Sequence, residues 1–247
     1  MSNKLIISLS ITSGSYDSFI NRIIELGKDK ISSYVCVANV HMCIEAYDDL
    51  TFAAVVNGAS LVTPDGMPLA KAIQFLYGEH QDRVAGMDLL PDLLSKAEQL
   101  GLSCYIYGGS NKMLEASEKY INAHYPSLRC GYHSPPFRPL TEQEKIEDIK
   151  RINNYGAHLV FVALGCPKQE RWMAEMRGKI HACMVGIGGA LPVMIGMQKR
   201  APEWMQKASL EWLYRLVQEP KRLFKRYAYT NTKFLYLLTN QKIGIIK

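Results

Sequence analysis

The sequence predicts an α/β fold, with a mainly parallel sheet flanked by helices in a Rossmann-like core and a basic helical appendage after it. Short apolar runs alternate with helical patterns of ten or more residues, which is the arrangement of βαβ units. Several of these runs end in polar residues or glycines, as strands do at the ligand-binding edge of open α/β sheets. A hydrophobic content of 48% and a charged content of 21% are typical of a soluble globular protein.

The alternating pattern occupies residues 1–195, which we predict to be the core, and residues 196–247 are predicted to be the appendage. Strands are expected where apolar runs are short, at 5–9, 34–38, 53–56, 60–63, 103–107, 128–132, 159–164 and 182–187. Helices are expected where apolar residues repeat at helical spacing, at 15–27, 40–50, 67–77, 88–100, 112–124, 141–154 and 169–176.

The stretch LVTPDGMPL at 61–69 is the centre of the predicted site. Pro64 cannot continue a strand ladder, Asp65-Gly66 is a turn dipeptide, and a helical pattern starts at Met67. Asp65 is therefore expected at the carboxyl end of a strand, where open α/β sheets bind ligands. The alternative is that its carboxylate only caps the following helix.

Other strand ends are expected to meet Asp65 at the same edge. Asn39 follows the strand at 34–38 and suits either a helix cap or a ligand contact. Gly108 and Gly109 precede a helix, where they would let a phosphate or ribose approach the backbone, although a lone Gly-Gly is more often only a turn. The VGIGGA turn at 185–190 has the same strand-to-helix character.

Cationic and amide side chains near these turns suit an anionic ligand. In ALGCPKQERW at 163–172, Lys168 and Gln169 open a helix, whose N-terminal N–H groups attract negative charge. The alternative is an exposed polar first turn with Trp172 packed beneath it. Arg83 would either form a local salt bridge or present its guanidinium to a diphosphate.

The basic charge is confined to the end of the chain. Residues 1–194 hold 18 Lys and Arg against 20 Asp and Glu, whereas residues 195–247 hold 11 against 3. Balances of −2 and +8 indicate an anionic partner for the appendage. Basic residues interleaved with aromatics suit an anionic membrane surface, and a nucleic acid would attract a similar composition. The membrane contacts are expected from Lys221, Lys225 and Arg226.

Neither a metal site nor a membrane span is expected. The six cysteines form no CxxC pair and favour reduced, buried thiols in the cytoplasm, the histidines lack metal-ligand spacing, and no DxD pair occurs. The longest apolar runs are too short to cross a bilayer, and the N-terminus has no signal-peptide pattern. A cytoplasmic protein without a metal or other cofactor follows, and homo-oligomerisation is left open.

Taken in order, these motifs resemble the WecG/TagA/CpsF family of glycosyltransferases, which make bacterial surface polysaccharides and wall polymers. The resemblance spans nearly the whole chain and includes Asn39, TPDGMPL at 63–69, RVAGMDLL at 83–90, YGG at 107–109, GCPKQERW at 165–172, VGIGGA at 185–190 and the segment 200–227. Family members often carry a threonine two residues before the asparagine, where this chain has Val37. Valine has no hydroxyl, so a hydroxyl contact from that position is not expected here.

The resemblance implies an enzyme that moves a sugar from a UDP-sugar onto a polyprenyl-diphosphate-linked saccharide, inverting to a β-linkage without an evident metal motif. The transferred sugar would be N-acetylmannosamine, its uronate or a glucose-type sugar. The appendage would lie at the cytoplasmic membrane face and fold over the site, presenting Arg215 and Arg222 to the UDP leaving group.

Chemistry then assigns the remaining roles. An inverting displacement needs a base for the acceptor hydroxyl, and the carboxylate of Asp65 suits it. It also needs positive charge on the departing UDP, for which Arg83 or appendage arginines are candidates. Asn39, Gly108, Gly109, Lys168 and Gln169 complete the predicted substrate contacts, with Gln169 facing sugar or phosphate.

Two other classes of protein remain as alternatives. A non-enzymatic nucleic-acid-binding protein would use the basic appendage, but it would leave Asp65 and the glycine turns unexplained. A dinucleotide-dependent oxidoreductase would need a phosphate-binding GxGxxG, which the sequence lacks.

Overall fold

The computed structural model describes residues 1–207 and 210–245, apart from the side chains of Lys207 and Arg222. In this part of the chain the strands are β1 (Ser2–Ile6), β2 (Leu9–Ser13), β3 (Ser33–Ala38), β4 (Leu61–Pro64), β5 (Cys104–Gly108), β6 (Cys130–His133), β7 (Leu159–Ala163) and β8 (Cys183–Gly186). The strands from β3 to β8 form one sheet in the order β4-β3-β8-β7-β5-β6, and each neighbouring pair is parallel. The predicted parallel α/β sheet is confirmed.

Helices occupy the connections between the strands and the C-terminal segment. They are α1 (Tyr16–Lys28), α2 (Val40–Asp48), α3 (Leu50–Asn57), α4 (Met67–Tyr77), α5 (Gly86–Gln99), α6 (Asn111–His124), α7 (Glu142–Tyr155), α8 (Lys168–Met176), α9 (Ala190–Met194), α10 (Glu203–Lys207), α11 (Glu211–Gln218) and α12 (Pro220–Lys242). Several begin at side-chain caps that their sequences supply. Ser15 caps α1, Ser110 caps α6, and Thr141 with Glu144 forms a capping box on α7.

Both faces of the sheet are buried, as a parallel sheet requires. Along β3 the side chains alternate between two apolar clusters: Tyr34 and Cys36 point to one, and Val35 and Val37 to the other. The first cluster includes residues of α2, α3, α4, α8 and α12, and the second includes residues of α1, α5, α6 and α9. Helices on both faces leave the carboxyl ends of the strands as the edge where the loops gather.

The start of the chain differs from the prediction of one buried strand at 5–9. It forms an antiparallel hairpin of β1 and β2, outside the parallel sheet. Ile7 reverses the chain with a φ of 58°, a left-handed conformation that an apolar run does not reveal. The hairpin lies beside the edge strand β4, where the Val62 N–H donates to the Thr12 hydroxyl at 3.1 Å.

The predicted strand at 53–56 is also wrong, because these residues lie in α3. The predicted helix at 40–50 ends at Asp48, and the next residue starts a new helix: the Asp49 carboxylate accepts from the N–H groups of Thr51 and Phe52. Phe52 and Val56, four residues apart, then face the core. The β-branched composition favoured a strand, but capping and packing overrode that preference.

The last helix joins the core. Phe234, Leu237 and Leu238 of α12 belong to the apolar cluster that contains α2. On the same side, Tyr229 and Lys233 both bond to the Asp48 carboxylate. The chain beyond 196 therefore packs against the core at its far end, and the functional division at that residue stays a prediction.

Candidate active site

The predicted strand ends meet at one edge of the sheet. Because all six strands are parallel, the residues after β4, β3, β8, β7 and β5 lie side by side in that order. These are Asp65, Asn39, the Gly188-Gly189 turn, the segment 165–169 and Gly109. The edge thus combines a carboxylate, amides and glycine turns in one row.

Asp65 is fixed by the backbone at the end of β4. Its N–H donates to Ala38 O at 2.7 Å and Thr63 O at 3.0 Å. The N-cap of α4 is Gly66, with a φ of 89°, and no described side chain caps that helix. The capping interpretation of Asp65 is therefore wrong, and its carboxylate remains available for another role.

The environment of Asp65 raises its pKa from 3.8 to about 6, chiefly because burial disfavours the charged carboxylate. Arg215 opposes this rise, Glu211 adds to it, and Arg83 and a hydrogen bond with Asn39 again oppose it. A carboxylate with this pKa is ionised at neutral pH, yet it holds a proton more readily than an exposed aspartate. These are the properties of a general base.

Asn39 caps α2, which is one of the two roles that the sequence left open, and a ligand contact from it stays a prediction. Its Oδ1 accepts from the Met42 N–H at 3.2 Å, which caps α2. Its side chain also stabilises the ionised form of Asp65 by hydrogen bonding. Val37, two residues earlier, is buried in the core cluster that includes α5, and a Cβ added to Gly86 would lie 3.6 Å from its Cγ1.

Arg83 is held beside β4, where the Val84 N–H donates to Pro64 O at 3.0 Å. Its guanidinium forms two ion pairs, from Nη1 to Glu211 Oε2 and from Nη2 to Asp88 Oδ2, each at 2.7 Å. The local salt bridge expected as one alternative is therefore present, with Asp88. Glu211 belongs to the C-terminal segment, so Arg83 also ties that segment to the core.

Gly108 and Gly109 turn sharply at the end of β5, with φ values of 106° and 79°. A Cβ on Gly108 would lie 2.8 Å from the carbonyl of Ala163, so only glycine fits between β5 and β7. The Gly109 carbonyl accepts from the Ser134 hydroxyl at 2.6 Å. Gly108 is buried and Gly109 is partly exposed, and a substrate contact from this turn stays a prediction.

Gln169 and Glu170 are buried, which corrects the alternative of a wholly exposed polar first turn. Gln169 is 4% exposed, and its Oε1 accepts from the Gly165 N–H at 3.1 Å. Its Nε2 donates to Glu170 Oε1 at 2.7 Å. Lys168 is exposed at the start of α8, and Trp172 stacks on Tyr107, with 4.2 Å between ring centroids.

Glu170 is not among the site residues predicted from the sequence. Burial raises the pKa of its carboxyl, and its Oε2 has no hydrogen-bond partner among the described residues. Its Oε1 accepts from the Gln169 amide. That amide packs against the glycine-rich end of β8, where a Cβ on Gly186 would lie 3.0 Å from Gln169 Nε2. The sequence does show Glu170 beside Gln169 at a helix start. A polar residue in that position is ordinarily expected to face solvent, so its burial was not expected.

The C-terminal segment lies over this edge. A Cβ on Gly189 would be 3.6 Å from Arg215 Nη2, which places the guanidinium at the Gly188-Gly189 turn. Arg200 pairs with Asp88. A cavity of about 630 Å³ is lined by Met67, Arg83, Asp88, Arg200, Glu203 and Gln206. Arg222 lies in α12, but its side chain is outside the described residues.

The outer surface of the segment is apolar and basic. Val217 is 73% exposed and Phe224 is 65% exposed, and Lys221 and Lys225 are exposed beside them. Arg226 differs, because it is partly buried and its charge contributes to lowering the pKa of His41 to about 4, after the larger effect of burial. Of the three predicted membrane contacts, the two lysines are the ones fully at the surface.

Two expectations from the sequence concern metal sites and membrane spans, and the following holds for the part of the chain that the structure describes. Three or more His, Cys, Asp or Glu side chains do not come together there in an arrangement that could hold a metal ion. None of the described helices has both the length and the apolarity needed to cross a membrane. The six cysteines are unpaired, and four of them are buried.

Comparison with known proteins agrees with the resemblance seen in the sequence. Two similar proteins are N-acetylglucosaminyldiphosphoundecaprenol N-acetyl-beta-D-mannosaminyltransferases. The one from Bacillus subtilis (strain 168) is 29% identical over 194 residues, covering 78% of this chain and 74% of the relative. The one from Bacillus spizizenii (strain ATCC 23059 / NRRL B-14472 / W23) is 29% identical over 224 residues, covering 90% and 86%.

The match to a family description covers almost the entire chain. The model of the glycosyl transferase WecG/TagA/CpsF family matches residues 5–246, which include the sheet, the row of strand-end residues and the C-terminal segment. The chain therefore belongs to the WecG/TagA/CpsF family of glycosyl transferases.

Proposed function

We propose that this protein is an inverting glycosyltransferase that moves a sugar from a UDP-sugar onto a polyprenyl-diphosphate-linked saccharide in bacterial wall-polymer or surface-polysaccharide synthesis. The two Bacillus relatives are named for transfer of an N-acetyl-β-D-mannosaminyl group to N-acetylglucosaminyldiphosphoundecaprenol. N-acetylmannosamine is therefore the first donor sugar to test, ahead of its uronate and glucose-type sugars.

The observation that carries the proposal is the carboxylate of Asp65. It lies at the carboxyl edge of a parallel sheet, it does not cap the following helix, and its pKa is raised to about 6. In open α/β sheets this edge is the usual ligand site. A group there with a pKa near the working pH suits general-base catalysis.

The proposed step is a single displacement at the anomeric carbon. The acceptor hydroxyl oxygen attacks from the face opposite UDP, and its proton passes to the Asp65 carboxylate. The new carbon–oxygen bond forms as the bond from the anomeric carbon to the phosphate oxygen breaks. UDP leaves with that electron pair, and the configuration at the anomeric carbon is inverted.

Positive charge for the departing diphosphate comes from Arg215 in this proposal. Its guanidinium lies at the Gly188-Gly189 turn, near the Asp65 carboxylate. Preorganised cations at a position where charge develops stabilise the transition state. Because Arg215 supplies this charge, we expect transfer to persist in EDTA, which removes divalent metals.

The remaining predicted contacts surround the same edge. The Gly108-Gly109 turn and the exposed Lys168 are proposed to contact the donor phosphates, and Asn39 to hold Asp65 in its ionised form. The amide of Gln169 bonds to Gly165 and Glu170. A sugar or phosphate contact from Gln169 would require its side chain to leave those partners. Arg222 stays a candidate second cation for UDP.

The location of the acceptor places the enzyme at a membrane. We propose that the protein lies peripherally on the inner face of the cell membrane, where cytoplasmic UDP-sugars and lipid-linked saccharides meet. The exposed side chains of Lys221, Phe224 and Lys225 support this placement. The same basic surface would attract nucleic acid, but the family match and Asp65 favour transferase chemistry.

The test of the general base is Asp65→Asn, with transfer followed from UDP-N-acetylmannosamine to a soluble N-acetylglucosaminyl-diphospholipid analogue. Loss of a general base typically lowers turnover on the order of 10²–10⁴-fold. UDP affinity, measured by calorimetry, should change little, because the acceptor proton is what Asp65 takes. Asp29→Asn, at an exposed end of α1, is the matched control and should retain full turnover.

Near-full turnover of Asp65→Asn would remove Asp65 from the mechanism. A wild-type enzyme that hydrolyses or transfers none of UDP-N-acetylmannosamine, its uronate, UDP-glucose or UDP-glucuronate would remove the proposed donor class. Assaying these four donors, each with and without EDTA, tests the donor class and the expected metal independence in one series.

A further inference from the structure

Four side chains of alternating charge join the core to the C-terminal segment. Arg83 and Asp88 come from the core, and Arg200 and Glu211 come from the segment after residue 196. Glu211 pairs with Arg83, Arg83 with Asp88, and Asp88 with Arg200. We call these four residues the charge clamp.

The pair that joins the core to α11, Arg83 with Glu211, is shielded from water. The side chain of Arg83 is 16% exposed and that of Glu211 is 18% exposed, and their atoms are 2.7 Å apart. Pairs with this little solvent differ from exposed surface ion pairs, which contribute little. Removing Arg83 leaves the Glu211 carboxylate partly desolvated and without this ion pair, and removing Glu211 leaves Arg83 paired with Asp88 of the core alone. The pair should therefore hold the segment firmly in one place.

The helix that carries Glu211 has little else to hold it against the site. None of the described side chains of α11 is buried, and Trp212, Leu213 and Val217 are among the exposed large hydrophobics. Trp212 does contact Tyr227 of α12 edge to face, with 6.1 Å between ring centroids, but both belong to the same segment. Tyr214 and Leu216 are only partly buried, so the charged residues of α11 contribute much of its attachment to the sheet edge.

Glu211 and Arg215 are four residues apart and so lie on one face of α11. Glu211 holds Arg83, and one turn further along Arg215 lies at the Gly188-Gly189 turn. Fixing the first residue fixes the second, because the helix between them is rigid. Arg215 is the cation that the proposed mechanism places on the leaving diphosphate.

We infer that the Arg83–Glu211 ion pair positions Arg215, so that Arg83 and Glu211 act on the leaving group through Arg215. This inference rests on the proposed function and replaces the expectation that Arg83 contacts the diphosphate itself. In the structure both sides of the Arg83 guanidinium are occupied by carboxylates, and a third anion would have to displace one. Glu211 and Arg83 are thus positioning residues.

A double-mutant cycle tests the inference. Glu211→Gln keeps the shape but removes the charge, and it should lower turnover on the order of 10–100-fold, the loss expected from a small misplacement of a reacting or stabilising group. Combining Glu211→Gln with Arg215→Gln should cost no more than Arg215→Gln alone, because the first acts through the second. Glu211→Asp keeps the charge and should recover part of the loss.

Arg83→Gln extends the cycle to the other side of the pair. Its effect should match that of Glu211→Gln, and the Arg83→Gln, Glu211→Gln double variant should be no worse than either single. The matched control is Glu142→Gln, which breaks the exposed ion pair with Lys145 on α7 and should leave turnover unchanged. If the losses of turnover in the two single variants multiply in the double variant, Arg83 has its own contact with the donor, and the inference is overturned.

A measurement without substrate separates this inference from the reaction itself. Amide hydrogen exchange across residues 211–218 should accelerate in Glu211→Gln and in Arg83→Gln, and it should stay unchanged in Glu142→Gln. If the wild type transfers no sugar but this exchange pattern holds, the proposed function fails and the docking role stands. Unchanged exchange in both clamp variants would overturn the docking role whatever the activity.

Discussion

At the scale of one residue, burial of the Asp65 carboxyl links its proposed catalytic role to the stability of the fold. The site raises the pKa of this carboxyl because desolvation outweighs the nearby arginines. A raised pKa makes the group a better base at neutral pH, but it also means that ionised Asp65 destabilises the folded protein. Active-site residues commonly destabilise the fold in this way, because the substitution that would stabilise it also removes the catalytic group.

The pH dependence of catalysis follows from that pKa. We expect kcat/KM to decrease as the pH drops below about 6, because Asp65 must be ionised in the free enzyme to take the proton of the acceptor hydroxyl group. With an aspartate of ordinary pKa, this acidic limb of the pH profile would lie near pH 4. Initial rates from pH 4.5 to 8.5 at constant ionic strength measure the limb. A limb near pH 4 would show that the environment of Asp65 is more polar than the structure indicates.

The same pKa makes Asp65→Asn a stabilising change. A carboxyl whose folded pKa is raised stabilises the fold below its unfolded pKa and loses that contribution as the pH rises through the folded pKa. The rise from 3.8 to about 6 corresponds to at most about 3 kcal/mol at pH 8. Urea unfolding should therefore show Asp65→Asn to be more stable at pH 8, with the gain shrinking toward pH 4. A loss of stability at pH 8 would contradict this prediction.

Individual site residues were predictable where backbone geometry decides their place. Asp65 and Asn39 follow apolar strands, and the parallel sheet brings such residues together. Gln169 and Glu170 were not predictable as buried, because polarity at a helix start indicates solvent. Their burial depends on the hydrogen bond between their side chains and on packing beneath the glycine turns. Those contacts form only when neighbouring strands lie side by side in the sheet, so the sequence does not show them.

At the scale of elements, the contact between β5 and β7 depends on Gly108. Gly108→Ala would strain a φ of 106° and press a methyl group to within 2.8 Å of the Ala163 carbonyl. Left-handed strain costs roughly 1–2 kcal/mol, and overpacking typically adds about 1–3 kcal/mol. Gly101→Ala is the matched control, because Gly101 has a φ of 64° but open space around it.

Urea unfolding of the two variants separates strain from crowding. Both should lose stability, and Gly108→Ala should lose more by the amount due to overpacking. UDP affinity should fall only in Gly108→Ala if the adjacent turn contacts the donor. Equal losses of stability in the two variants would mean that β5 and β7 can move apart at little cost.

The sequence predicted most elements but not those decided by a single residue. Long helical patterns such as 67–77 coincide with α4 because their apolar periodicity is strong. The hairpin of β1 and β2 depends on the left-handed Ile7, and α3 depends on the Asp49 cap. Neither signal changes the apolar pattern of its neighbours, so the pattern predicts one strand at 5–9 in place of the hairpin and a strand at 53–56 in place of α3.

At the scale of the molecule, the C-terminal segment both covers the site and completes the core. Truncation near residue 196 would remove Phe234, Leu237 and Leu238, which are buried against α2. Loss of one large buried side chain typically costs about 2–5 kcal/mol. Inactivity of a truncated protein would therefore not distinguish catalysis from folding, and substitutions at exposed positions are the better test.

The charge asymmetry of the sequence does not predict how this segment docks on the core. A balance of +8 after residue 194 indicates an anionic partner. It does not reveal that Glu211, one of only three acidic residues in that region, would hold Arg83 of the core. Such long-range pairing depends on the packing of α12 against α2, which no local pattern contains.

Membrane binding is predicted to depend on the exposed surface at the start of α12. Lys221 and Lys225 flank Phe224 and face solvent, and each lysine near an anionic surface contributes about 1 kcal/mol. The Lys221→Gln, Lys225→Gln double variant should thus bind vesicles containing phosphatidylglycerol about 30-fold more weakly at low salt. Phe224→Ser should weaken binding further, because an interfacial aromatic buries apolar area in the bilayer.

The control for this prediction removes the same charge from the core. Lys112 and Lys119 are exposed on α6, so Lys112→Gln with Lys119→Gln changes the net charge equally without touching the segment. If that control weakens vesicle binding as much as the α12 variant, the attraction comes from total charge, and the anchor is not at α12. If the α12 variant loses vesicle binding but keeps turnover on a soluble acceptor, membrane contact and active-site closure are separate functions of one segment. The charge clamp leads us to expect this outcome, because Glu211 and Arg215 dock inward while Lys221 and Lys225 face outward.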